Sequence, residues 1–87
     1  MHQHYWEVHL STDEQDGRTT ATARLHWAER TVVGHGVARC NPTDRDVADI
    51  GAELAAARAL SDLAGQLLDV TRHHIETTTN APVHELR

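Results

Sequence analysis

The feature that most constrains this 87-residue chain is a change of hydropathy period near residue 40. Before Cys40, apolar and polar side chains alternate in twos, the pattern of half-buried strands. From Val47 onward the apolar residues recur every three or four positions, the pattern of an amphipathic helix. A chain built this way is α+β, with a β-β-β segment first and one long helix after it. Its length allows a single domain over residues 1–87.

The first strand is expected at about residues 4–11, where Trp6, Val8 and Leu10 alternate with Tyr5, Glu7, His9 and Ser11. Asp13-Glu14-Gln15-Asp16-Gly17 reads as the loop that ends it, since Asp-Gly accepts the positive φ of a tight connection. The second strand follows at about 18–28, with Ala21, Ala23, Leu25 and Trp27 inward and Arg18, Thr20, Thr22, Arg24 and His26 outward. A turn at Glu29-Arg30 leads into a third strand at about 31–40. Pairing Ala28 with Thr31 then puts Trp27 opposite Val32, Leu25 opposite Gly34, Ala23 opposite Gly36 and Ala21 opposite Ala38. Large residues would face small ones, and the glycines would leave room for a helix. On the outer face the same register sets Arg24 against His35, Thr22 against Val37, Thr20 against Arg39 and His26 against Val33. Val33 and Val37 make the third strand apolar on both faces, which calls for cover on both sides.

Asn41-Pro42-Thr43-Asp44 is a turn, with Thr43 or Asp44 as helix cap. Ile50, Leu54, Ala57, Leu60, Leu63, Ala64, Leu67, Leu68 and Val70 then trace the helix, expected over about 46–74. Ile75 can add a turn before Thr77-Thr78-Thr79-Asn80-Ala81-Pro82 stops it, leaving residues 80–87 as a tail. Gly51 and Gly65 each cost about 1 kcal/mol relative to Ala inside a helix, which points to packing contacts or a bend.

Composition limits the chemistry. With no Phe, two Trp and one Tyr, the core must be built from Ala, Leu and Val, and oligomerisation is one way to gain burial. The single Cys40 allows no internal disulfide and reads as a small apolar residue. There is no apolar run of membrane-spanning length and no leader pattern, so the expectation is a cytoplasmic protein without a membrane. The eight His offer no ligand spacing: His73 and His74 point about 100° apart on a helix. Only His9, His26 and His35 could share a face, and they read as solvated or interface residues. Gly34-His35-Gly36 lies within a strand and forms no phosphate loop. No catalytic residue, metal, cofactor or small-molecule substrate is expected, and the chain reads as a non-enzyme.

Charge is segregated although the formal total is −5. Arg18, Arg24, Arg30 and Arg39 stand against Glu29 alone in residues 18–40, while residues 41–70 are acidic. Arg18, Arg24, His26, Arg30, His35 and Arg39 are therefore the candidate partner-binding residues, for phosphate or for an acidic protein. Val33, His35 and Val37 are the candidate homodimer face. Protonating His35 beside Arg24 would make such a face pH-sensitive.

The segments Thr22–Arg30, Val33–Asp44 and Ile50–Ala64 resemble a family of small uncharacterised actinobacterial proteins with a double-stranded-RNA-binding-domain-like fold, and the likeness covers about residues 5–83. It implies a three-stranded antiparallel sheet backed by helix, a homodimer, and expression tied to hypoxia or dormancy. It further implies a shape like that of ribosome hibernation factors, hence binding to the ribosome or structured RNA and silencing of translation. Arg24 and Arg39 lie in the matching segments, whereas His35 and Cys40 stand where the family would be expected to carry apolar residues and Leu. The other function class is a protein–protein adaptor or structural dimer that uses its open sheet face without nucleic acid.

Overall fold

The computed structural model describes residues 2–39 and 47–79, apart from the side chains of residues 47 and 48. The three strands are β1 (Val8–Gln15), β2 (Arg18–Trp27) and β3 (Arg30–Arg39), followed by the helix α1 (Val47–Thr79). They form one antiparallel sheet in the order β1-β2-β3. This is the α+β arrangement that the two periods demand. The expected helix cap at Thr43 or Asp44, Cys40 and the tail at 80–87 lie outside the described residues.

The first hairpin is tighter than the sequence suggested, and the second has its two-residue turn shifted. β1 runs on through the expected loop to Gln15, and the turn is only Asp16 (φ 54°) and Gly17 (φ 75°). The second turn is Ala28 (φ 46°) and Glu29 (φ 63°), one residue earlier than expected. Two successive positive φ values match the twist of the flanking strands. They place two non-glycine residues in left-handed backbone, which only a strongly favoured strand pairing can impose.

That earlier turn shifts the β2–β3 register by two residues while keeping every side chain on its expected face. Leu25 pairs with Val32, Ala23 with Gly34, Ala21 with Gly36 and Thr19 with Ala38. Small residues therefore face small ones and large face large, not the alternation expected. The smallest side chains gather at one end of the inner face, where α1 lies closest. A methyl at Gly34 would meet the Ala59 carbonyl oxygen and sit 2.5 Å from the Leu63 nitrogen. At Gly36 it would meet the Ala55 carbonyl and sit 2.5 Å from the Ala59 nitrogen. The neighbours are helix backbone, which cannot rotate aside.

The core follows from this contact: Ala21, Ala23, Leu25, Val32 and Ala38 from the sheet, and Ala55, Ala59 and Leu63 from α1. Trp27, Leu67 and Val70 fill the wider end. Gly51 is buried on the same helix side, whereas Gly65 is exposed with nothing within 4 Å of an added Cβ, so it is not the packing contact expected. α1 is longer than expected, and Thr71, Thr77 and Thr79 sit within it by turning their hydroxyls back onto the carbonyls of Leu67, His73 and Ile75 at 2.7–2.9 Å. At 33 residues it is about 50 Å long, against about 33 Å for a ten-residue strand, so its last turns overhang the sheet.

Two glycine substitutions should move stability in opposite directions. Gly34→Ala should cost about 1–3 kcal/mol through forced displacement of α1, and Gly65→Ala should gain about 0.5–1 kcal/mol from helix propensity. Urea denaturation of both variants checks this, and equal effects would mean that the helix does not rest on Gly34.

Candidate functional site

The outer face of the sheet is built in cross-strand rows. Gln15, Arg18 and Arg39 form one row, followed by Asp13, Thr20 and Val37, then Ser11, Thr22 and His35, then His9, Arg24 and Val33. His26 and Thr31 make the last pair, joined by a 2.8 Å hydrogen bond between His26 Nδ1 and Thr31 Oγ1. The middle of the face is floored by short hydroxyl side chains, with arginines toward both ends.

Five of the six candidate binding residues share this face, and Arg30 does not. Arg30 pairs with Trp27, whose parity is that of Leu25 and Ala23, so it stands on the helix side. The register also separates Arg24 from His35: Arg24 faces Val33, and His35 faces Thr22. The pH-sensitive pair expected from their juxtaposition is not formed. Arg18 and Arg39 stand directly opposite each other, beside a shallow notch that Asp13, Gln15, Asp16 and Thr20 complete. A second depression lies between His9, Leu10, Ser11, Thr22 and Arg24. His9 Nε2 is 3.8 Å from a Glu7 carboxylate oxygen, so the acids of the face sit on the β1 side and the arginines on β2 and β3.

Val33 is half-buried, while Val37 and His35 are exposed. The more exposed apolar side chains are elsewhere: Val8 and Leu10 on the helix side of β1, each 44% exposed, and Ile50, Leu54, Leu60 and Leu68 on α1. Val8 and Leu10 have core parity, opposite Leu25 and Ala23. They stay uncovered because α1 lies over β3 and β2 and barely reaches β1.

The helix sits toward β3 because it also occupies that strand's free edge. Arg58 donates to the Val37 carbonyl at 2.7 Å, the Asp62 carboxylate accepts the His35 N–H at 2.8 Å, and Gln66 donates to the Val33 carbonyl at 2.7 Å. Gln66 also donates to Asp62 at 3.2 Å. Asp62 is thus an edge ligand, although the sequence shows it only as one acid of the acidic stretch 41–70. The signal was present as a polar row at 58, 62 and 66 beside the apolar row at 55, 59 and 63. The other feature missed is the stack of Trp6 on Trp27, with ring centroids 5.4 Å apart and planes 20° from parallel.

Among the described residues, no three His, Cys, Asp or Glu are placed to hold a metal ion, and no helix is long and apolar enough to cross a membrane. These features define an α+β protein of one antiparallel sheet and one helix, with an open polar face rather than an enclosed site. The chain belongs to the Rv2632c-like family, whose model matches residues 4–84. It is 51% identical over 82 residues to the uncharacterized protein Mb1767 of Mycobacterium bovis, covering 94% of this chain and 87% of that one. It is 53% identical over 77 residues to the uncharacterized protein Rv2632c of Mycobacterium tuberculosis, covering 88% and 83% respectively. The crystal structure of Rv2632c superposes with a TM-score of 0.85 at 49% identity, covering 94% of this chain and 98% of that one.

The facing arginines carry a measurable penalty. Like charges directly opposite on adjacent strands destabilise by a few tenths of a kcal/mol, so Arg39→Gln should raise the thermal midpoint slightly at low salt. The gain should vanish in 1 M salt. A loss of stability at low salt would show that the acids of the notch already compensate the pair.

Proposed function

We propose that the protein is a non-enzymatic, homodimeric binding protein of the cytoplasm whose outer sheet face takes RNA, with the ribosome as the leading carrier, and silences translation sterically under stress or dormancy. The observation that supports this most is the state of the arginines. Arg18, Arg24 and Arg39 share one surface with hydroxyl side chains between them, and among the described residues none of the three forms an ion pair. Unpaired guanidinium groups on a low floor can reach phosphates bidentately. The acids of α1 lie behind the sheet, and those of the outer face sit on the β1 side.

Dimerisation fits the β1 side better than Val33, His35 and Val37. β1 is the sheet's open edge, since β3's edge is filled by α1 side chains. A second copy there would cover Val8 and Leu10 and leave the outer face free. The free protein should therefore scatter light as twice 9.7 kDa, and a concentration-independent monomer mass would remove the dimer from the account.

The RNA reading is tested by sedimentation of the protein with ribosomes through sucrose at low and physiological salt. Wild type should co-sediment at low salt and dissociate as salt rises. Arg24→Ala with Arg39→Ala should weaken association and reduce the salt slope by about 1.4–1.8, since each phosphate contact contributes roughly 0.7–0.9. Equal sedimentation of variant and wild type would count decisively against it. The exposed apolar residues of β1 and α1 favour the adaptor as second reading, and binding to a cell fraction that survives nuclease would select it.

A further inference from the structure

The chain's two tryptophans are both in one place, and the RNA reading of the outer face does not use them. Trp6 precedes β1, and extending the β1–β2 register by one inward step sets it opposite Trp27, which in turn pairs with Arg30. Trp6, Trp27 and Arg30 are thus one cross-strand row on the helix side, at the end of the sheet that α1 overhangs. Trp27 is half-buried and packs against the core, as does Val70 of α1. Trp6 covers one face of Trp27 and is itself 54% exposed. On α1, His73 follows Val70 by three residues and so shares its side of the helix, beyond the last strand residue. It is exposed, as is Arg30.

We propose that the open face of Trp6, backed by Trp27, is a stacking site for an unpaired nucleobase of single-stranded RNA, with Arg30 at the far end of the row, beyond Trp27. The inference rests on the RNA reading above and adds to it the class of RNA taken: a strand with at least one splayed base, not a continuous duplex. Three properties of the row favour a base over an aliphatic ligand. A ring already stacked at 5.4 Å offers a rigid flat surface with little side-chain freedom left to lose. The surface is planar and open rather than a closed apolar pocket. The charged residue of the same row, Arg30, stands on the next strand beyond Trp27, placed for a phosphate of a neighbouring nucleotide as the RNA strand crosses the row. Recognition would be tolerant of base identity, because every base has a π face.

The test uses the full chain and short oligouridylate and oligoadenylate RNAs. Because no tryptophan lies outside the stack, intrinsic fluorescence reports on the site directly, and the anisotropy of a labelled RNA reports binding independently. RNA should quench the tryptophan emission saturably at the same concentration at which anisotropy rises. Trp6→Ala should weaken binding about tenfold, Trp6→Phe should retain most of it, and circular dichroism should show both variants folded, since Trp6 lies outside the strands. An abasic analogue of the same charge should bind without quenching. If RNA binds with unchanged affinity to Trp6→Ala, or binds wild type without quenching, the stacking site is overturned while the outer-face reading stands. If ribosomes co-sediment but neither oligonucleotide binds, the stacking site again fails alone. If neither ribosomes nor oligonucleotides bind, both readings fail together.

Discussion

Everything in this fold depends on how closely α1 approaches β3. Gly34 and Gly36 present no side chain where the carbonyls of Ala55 and Ala59 pass over them, and Ala21 and Ala23 flank the same spot from β2. The helix can therefore sit low enough for Arg58, Asp62 and Gln66 to reach around to the outward-facing backbone of Val37, His35 and Val33. A chain with no Phe gains much of its tertiary cohesion from this contact, through backbone proximity and three charge-assisted or amide hydrogen bonds rather than through large buried side chains.

The same contact produces the asymmetry of the molecule. One edge of the sheet is closed by side chains of its own helix, and the other, β1, is left open among the described residues. One apolar row is buried beneath α1, and its continuation at Val8 and Leu10 is not. The outer face carries no helix among the described residues, so its arginines are presented to solvent. The three surfaces available to partners, namely the outer face, the β1 edge and the Trp6 corner, are each what remains after α1 has committed itself to β3.

Much of this was legible in the sequence, for reasons that can be traced to particular residues. Strand parity was readable because Ala21, Ala23 and Leu25 alternate with charged and hydroxyl residues, and a register error of two leaves parity intact. The register itself was not readable, because Ala28-Glu29 carries no turn signature. Its left-handed backbone is imposed by the packing of Leu25 against Val32 and of the small residues under α1. Arg30 was misplaced for the same reason, as a turn residue rather than the partner of Trp27. The helix ran past its expected end because a threonine run does not by itself stop a helix: Thr77 and Thr79 turn their hydroxyls onto carbonyls one turn back. The role of Asp62 was not legible because its partner is a backbone N–H, which no charge pattern reveals.

The central claim is that α1 closes the β3 edge and leaves the β1 edge open, and amide hydrogen exchange by NMR tests it most directly. In the free protein, the His35 amide should exchange slowly, at a rate comparable to the paired amides of β2, although it lies on the outer edge of the sheet. The outward amides of β1 should exchange much faster under monomeric conditions. Rapid exchange at His35, equal to that of the β1 edge, would contradict the account, because it would mean that the helix does not hold the strand whose glycines admit it.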